Sequence, residues 1–184
     1  MAGSQKGLEL IDELLSRELA GDISRAASAG EARRLLMGGG FDLCVVNSPL
    51  SDEMGEALCA DACENSSCEA ILLVKAELFE QTDYRAGAYG VLTVSKPVQR
   101  AAFHTAFRLA SAAHRRARSL EAENIRLLQQ LDELKIVSRA KCSLIEREGM
   151  SEQEAHRFIE KRAMDKRLTR RAAAEEILFK YARR

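Results

Sequence analysis

Between Val98 and Arg147 the chain has neither proline nor glycine, the two residues that most readily interrupt a helix. An unbroken helix there would run roughly 75 Å at about 1.5 Å per residue, more than a small globule can cover. It needs something to pack against. Ala106, Ala110, Ala113, Ala117, Leu120, Asn124, Leu127, Leu131, Leu134 and Ser138 recur in steps of four and three, the spacing of a heptad seam. Arg115, Arg116, Arg118, Glu121, Glu123 and Arg126 surround a stripe only two positions wide. That narrowness favours self-association over a helix packed on the chain's own sheet. The expected dimer seam is Leu120, Asn124, Leu127, Leu131 and Leu134, with Asn124 where a polar side chain fixes the register of a parallel pair.

The residues ahead of this stretch alternate between helical and strand-like patterns. Gly7 to Leu19 has apolar residues at helical spacing, and Gly30 to Met37 reads as a helix closed by Gly38-Gly39-Gly40. Asp22 to Ser28 is a short, ambiguous strand candidate. Phe41 to Asn47, Ala70 to Val74 and Gly90 to Val94 are short bounded apolar runs typical of buried parallel strands, with helical segments Met54 to Cys63 and Gln81 to Ala88 between them. This alternation predicts a parallel sheet flanked by helices.

The last fifty residues read as a compact helical unit. Ser151 and Glu154 form a capping box for a helix reaching about Lys166, and Thr169 can cap another. Val137, Ala140 and Leu144, then Ala155, Phe158, Ile159 and Ala163, then Ala173, Ile177, Leu178 and Tyr181 supply three facing stripes for a small core. Arg157, Lys161 and Met164 fall on the opposite face of the middle helix.

Charge separates the two ends of a chain whose formal net charge is zero. Residues 1–100 hold 9 basic and 16 acidic side chains, a balance of −7, whereas residues 135–184 hold 14 and 8, a balance of +6. The basic segment could meet nucleic acid, an anionic membrane or an acidic protein. The longest uninterrupted apolar run, Ala70 to Val74, is five residues, against about 20 for a spanning helix. No membrane span is expected. Met1 to Lys6 lack the apolar stretch of a secretory signal, and the five cysteines are an odd number, so a cytoplasmic protein is expected. Cys59 and Cys63 stand four apart with Glu64 beside them, but no His or second Cys pair completes a zinc set; buried thiols and no metal are expected. His104, His114 and His156 stand apart from any nucleophile or ligand partner. The pattern calls for no enzyme and no cofactor.

Two resemblances are carried by particular residues. Asp42-Leu43-Cys44-Val45-Val46-Asn47 with Pro49 after it, Ala86-Gly87-Ala88-Tyr89-Gly90, and Lys96-Pro97 resemble a response-regulator receiver domain, a flavodoxin-like α/β fold. Asn47 then takes the phosphoacceptor position, Lys96 the switch-lysine position, and Lys75 the place of the usual Thr or Ser. An amide cannot form the acyl phosphate a carboxylate forms, and no Asp-Asp pair occurs near the N-terminus to hold magnesium. The resemblance implies a degenerate receiver. Its usual first strand, central in the sheet, lacks a recognisable counterpart, which implies either further chain upstream or a rearranged sheet.

Ser138-Arg139-Ala140-Lys141-Cys142-Ser143-Leu144-Ile145, Gly149 to Ala155, Ala163-Met164 and Ala174-Glu175-Glu176-Ile177-Leu178 resemble an ANTAR domain, the RNA-binding module of bacterial antitermination regulators. Cys142 and Ile145 depart from the family's usual Gly and Met. The order of receiver-like domain (1–98), coiled-coil linker (99–134) and all-α three-helix ANTAR domain (135–184) is most similar to regulators of the ethanolamine-utilisation type. That similarity implies a homodimer that binds paired stem-loops of a leader transcript so that the terminator hairpin does not form, and it admits an upstream signalling protein. The expected RNA-binding residues are Arg139, Lys141, Arg147, Arg157, Lys161, Met164, Lys166, Arg170 and Arg171, cations for phosphate and a thioether for a base. Phe158 and Tyr181 read as core, so base stacking on aromatic platforms is not the expected mode. The rival readings are a DNA-binding response regulator, which would need a recognition helix, and a scaffold that binds no nucleic acid.

Overall fold

The computed structural model describes residues 2–16, 22–65 and 68–182. Residues 1–118 and 119–184 form two compact units.

The first unit is a parallel sheet with helices on both faces. The helices are α1 (Gln5–Leu15), α2 (Ala29–Met37), α3 (Glu56–Asn65), α4 (Phe79–Gly87, led in by a short 3₁₀ turn) and the beginning of α5 (Arg100–Glu148). Among the described residues the strands are β1 (Leu43–Asn47), β2 (Glu69–Lys75) and β3 (Leu92–Lys96), in the order β1-β2-β3. Successive residues of a strand point to opposite faces, so uninterrupted apolar runs feed two cores at once. Cys44, Val46, Ala70, Leu72 and Val74 pack toward α2, α3 and α4. Val45, Ile71, Leu73 and Val94 pack toward α1 and α5, against Ile11, Phe103, Ala106 and Phe107. Gly55 lies where α3 approaches β1. Its φ is +89°, and a Cβ there would sit 2.7 Å from the Val46 side chain, so backbone conformation and space both require glycine.

Two expectations need correction in this unit. Residues 22–28 form no strand; Ala26 alone enters the core while Ile23 stays exposed, and the Ser28 hydroxyl already caps α2 by accepting from the Glu31 N–H. Leu19, at the end of the expected first helix, lies outside the described residues. The other correction concerns the long helix. α5 runs 49 residues, but Ala106 and Ala110 of the expected seam are buried on the sheet, beside Phe103 and Phe107. Small side chains let the helix lie close to the strands, so the intramolecular alternative holds for these first turns.

The second unit contains the rest of α5, α6 (Glu152–Lys166) and α7 (Arg170–Ala182). Gly149, at φ +68°, ends α5 in the left-handed conformation that glycine adopts without penalty. Ser151 and Glu154 make the reciprocal capping box of α6, and the Thr169 hydroxyl accepts from the Ala172 N–H to start α7. Ala140 and Leu144, Ala155, Ile159 and Ala163, and Ala173, Ala174, Ile177 and Tyr181 make the core. Phe158, expected in that core, is 39% exposed. Ile159 beside it takes the inward position, and a step of about 100° along the helix turns the bulky Phe158 ring outward. Ser151→Ala removes a cap acceptor and should destabilise this unit by about 1 kcal/mol, read as a lowered denaturation midpoint with unchanged slope.

Candidate functional site

In the second unit the candidate cations divide by what they touch. Lys141 pairs with Glu152 at 3.0 Å, Lys166 with Glu176 at 2.7 Å, Arg170 with Glu133 at 3.6 Å, and Arg171 with Asp132 at 2.8 Å and Glu175 at 2.9 Å. The Lys166 ammonium, first among several contacts, holds the Glu176 carboxyl below its usual range, and Lys141 does the same for Glu152. These four cations are partly neutralised by the unit's own carboxylates. Arg157 and Lys161, by contrast, are exposed on the outer face of α6 with Met164, itself 73% exposed.

Arg139 and Arg147 lie on one row of α5, about two turns apart with Ser143 between them. They line a shallow groove of about 540 Å³ with Ser143, Leu178, Phe179 and Tyr181. The Arg147 guanidinium carbon lies 5.5 Å from the Tyr181 ring centroid, within cation–π range. Tyr181 is buried as expected, but Phe179, which the sequence reading passed over, is 62% exposed. With Phe158 half exposed as well, aromatic surface is available on this unit, against the expectation that stacking would be absent. A period of four placing Phe179 one step beyond Glu175, both off the buried stripe, is the sequence signal that could have found it.

In the first unit the strand ends carry the residues expected at the receiver's phosphoacceptor and switch-lysine positions. Asn47 closes β1, its side-chain Oδ1 buried and without a hydrogen-bond partner among the described residues. Ala2 forms a parallel bridge with Asn47. Lys75 and Lys96 close β2 and β3 and are direct neighbours in register. The Lys96 ammonium donates to the Ser48 carbonyl. Burial, with the nearby Lys75 charge as a lesser cause, lowers the Lys96 pKa below its ordinary value.

Cys44, Cys59 and Cys68 are buried. Desolvation pushes the Cys44 and Cys68 thiols up to about 12 and the half-buried Cys63 to about 11, so at neutral pH they are protonated, apolar filling. Among the described residues no three His, Cys, Asp or Glu side chains converge as a metal would require, and no helix is long and apolar enough to cross a membrane.

Residues 126–178 match the ANTAR domain family. The chain carries an ANTAR domain. A 93-residue stretch is 37% identical to the transcriptional regulatory protein PdtaR of Mycobacterium tuberculosis, in strains CDC 1551 and H37Rv alike, covering 50% of this chain. That match spans 44% of those relatives' length. The signal receiver domain of an HD domain-containing protein from Pseudomonas fluorescens Pf-5 superposes with a TM-score of 0.56 at 24% identity, over 64% of this chain and 88% of that one. The sheet-bearing unit therefore has the receiver fold.

Within the ANTAR domain, agreement with the family pattern is not confined to buried positions, since Lys141 is only partly buried and Met164 is 73% exposed. Ala140, Leu144, Ala155 and Ala163, which agree with the family pattern, are in the core. Cys142 and Ile145, which depart from it, are exposed, where a change of side chain leaves helix packing intact.

Proposed function

We propose that the chain is a dimeric RNA-binding regulator of transcription termination, of the ethanolamine-utilisation type, in which two ANTAR domains grip paired stem-loops of a leader transcript and keep the terminator from forming. The observation that supports this most is the exposed row Arg157, Lys161 and Met164 within a matched ANTAR domain. Two cations that pair with no carboxylate among the described residues meet phosphates, and a soft apolar group meets an unstacked base. Arg139 and Arg147 extend the interface along the groove, while Lys141, Lys166, Arg170 and Arg171 contribute after exchanging their carboxylate partners for phosphate. Leu120, Asn124, Leu127, Leu131 and Leu134 form the dimer seam. The proposed division is a receiver-like domain over 1–98, a coiled-coil linker over 99–134 and the RNA-binding domain over 135–184.

An amide at Asn47 leaves the receiver-like domain unable to accept phosphate as a carboxylate does, so control passes through binding, with an upstream signalling protein as the partner. The reading assigns no catalytic role and a cytoplasmic setting.

Affinity for a two-stem-loop RNA should fall steeply with salt, by a log–log slope of about −0.7 per neutralised phosphate on single-stranded segments. Replacing both Arg157 and Lys161 by Ala should flatten that slope by about 1.4 on the same basis without altering helicity. An unchanged slope in the double variant would move the interface elsewhere. Competition by duplex DNA as effective as by hairpin RNA would favour the DNA-binding alternative, and binding to neither would leave the protein scaffold.

A further inference from the structure

The sheet-bearing unit has an open groove of about 720 Å³ between α3 and α4, on the face of the sheet away from α1 and α5. Its α3 wall is Ala57, Ala60, Asp61 and Glu64, one helical face by their spacing of three and four. Two of these positions raise only a methyl group above the backbone, so the groove stays open where larger side chains would fill it. The α4 wall ends in Ala88 and carries two tyrosines. Tyr84 is 87% exposed and Tyr89 48%. Tyrosines left in water forgo a large apolar area that a partner could cover, and tyrosine together with arginine is the composition of interface hot spots.

Charge selects the partner. Glu56, Asp61 and Glu64 line the groove with Arg85, so three carboxylates and one guanidinium leave a balance of −2. Glu56 holds Arg85 at 3.0 Å. Asp61 holds Arg33 at 2.8 Å, but the same guanidinium also serves Glu53 at 2.8 Å, so one cation is divided between two carboxylates. Glu64, near the end of α3, pairs with no cation among the described residues. The balance of −7 over residues 1–100 acts in the same direction. Nucleic acid or an acidic protein is repelled from this face, and a cationic protein is attracted to it.

We propose that the α3–α4 groove docks an arginine-bearing amphipathic helix of another protein. The space over Ala57, Ala60 and Ala88 takes the apolar side of such a helix, as in other helix-in-groove contacts. Its guanidinium groups reach Glu64 and Asp61 and lie over the Tyr84 and Tyr89 rings, where a cation gains from the aromatic face. Arginine suits the groove better than lysine, because its planar group both pairs with a carboxylate through two bonds and stacks on a ring. The inference does not rest on the RNA reading, since the groove lies wholly in the receiver-like unit.

The test is a fluorescence-anisotropy titration of the full chain with a labelled helical peptide of about 16 residues, leucine on one face and arginine on both flanks, located by ¹H–¹⁵N NMR. One saturable site per chain is expected, with the largest shifts in α3 and α4, and no binding of the same peptide carrying glutamate in place of arginine. Tyr84→Ala and Glu64→Lys should each weaken binding about fivefold or more. Both side chains are exposed, so their replacement leaves the fold intact. Glu9→Gln, on α1 across the sheet, should change nothing. The proposal is overturned if the arginine peptide shows no saturable site, if the glutamate peptide binds equally well, if both groove variants bind as the native chain does, or if Glu9→Gln removes the binding. Conversion of a native dimer to a monomer by Tyr84→Ala would also overturn it, since the groove would then be a contact between copies of this chain.

Discussion

A chain carrying Leu127→Asp and Leu131→Asp is expected to sediment as a monomer and to bind a two-stem-loop RNA about 10²–10⁴-fold more weakly than the native chain, while its affinity for one isolated stem-loop is unchanged. Leu120, Leu127, Leu131 and Leu134 are all exposed on α5, Leu120 by 72%. They share one stripe of α5, flanked by the exposed Ile125 and Leu128 as well as by charged residues. An exposed apolar stripe of this length marks a contact surface, and knobs-into-holes packing against a second copy would bury it. Two carboxylates in each helix would set four charges inside the paired seam, where desolvation opposes association. The effect on RNA is then one of linkage. Once one domain has bound, the second meets its stem-loop at an effective concentration set by the tether, and a monomer loses that gain. Equal loss on single and paired stem-loops would show that the substitutions damaged the RNA-binding unit itself; a persistent dimer would place self-association on another surface.

The second large effect is expected from Leu144→Ala. Leu144 is fully buried where α5, α6 and α7 meet. Truncating a buried leucine destabilises by about 2–5 kcal/mol, through lost transfer free energy and the cavity left behind. A core this small rarely supplies more than about 3–5 kcal/mol in total, so the substitution should unfold the second unit at room temperature. The receiver-like unit has separate cores on the two faces of its sheet, and its cooperative transition should survive. Far-UV circular dichroism should report the loss of α6 and α7, and stem-loop binding should vanish with them. Retained affinity in a chain that has lost those helices would remove the ANTAR domain from the RNA interface.

Much of this architecture is readable from local chemistry. The Ser151–Glu154 capping box places the start of α6, and Gly149 the end of α5, because each satisfies or frees backbone groups with residues a few positions away. The strand runs at Leu43 and Ala70 are legible because strands covered on both faces are apolar, whereas the edge strand at Leu92 mixes Thr93, Ser95 and Lys96 into its run. The strand candidate at 22–28 fails because a short mixed segment has no periodicity strong enough to outweigh a helix cap at Ser28. The candidate cations were readable as types and positions, but which of them pair with carboxylates was not. Lys141 and Arg171 look like equally available cations in sequence; Glu152 and Asp132 reach them only after the chain has turned.

Sequence alone settled most of the helices, the strands at Leu43 and Ala70, the caps at Ser151 and Thr169 and the amide at Asn47, since each follows from propensity, periodicity or the chemistry of one side chain. Only the tertiary structure decided that Ala106 and Ala110 serve the sheet while Leu120 and Leu131 stay exposed, and that Lys75 and Lys96 occupy paired positions of adjacent strands. The physical reason is common to these cases. Burial and electrostatic pairing depend on which distant segments share a neighbourhood, and a heptad or a lone lysine carries no record of its neighbours across the fold.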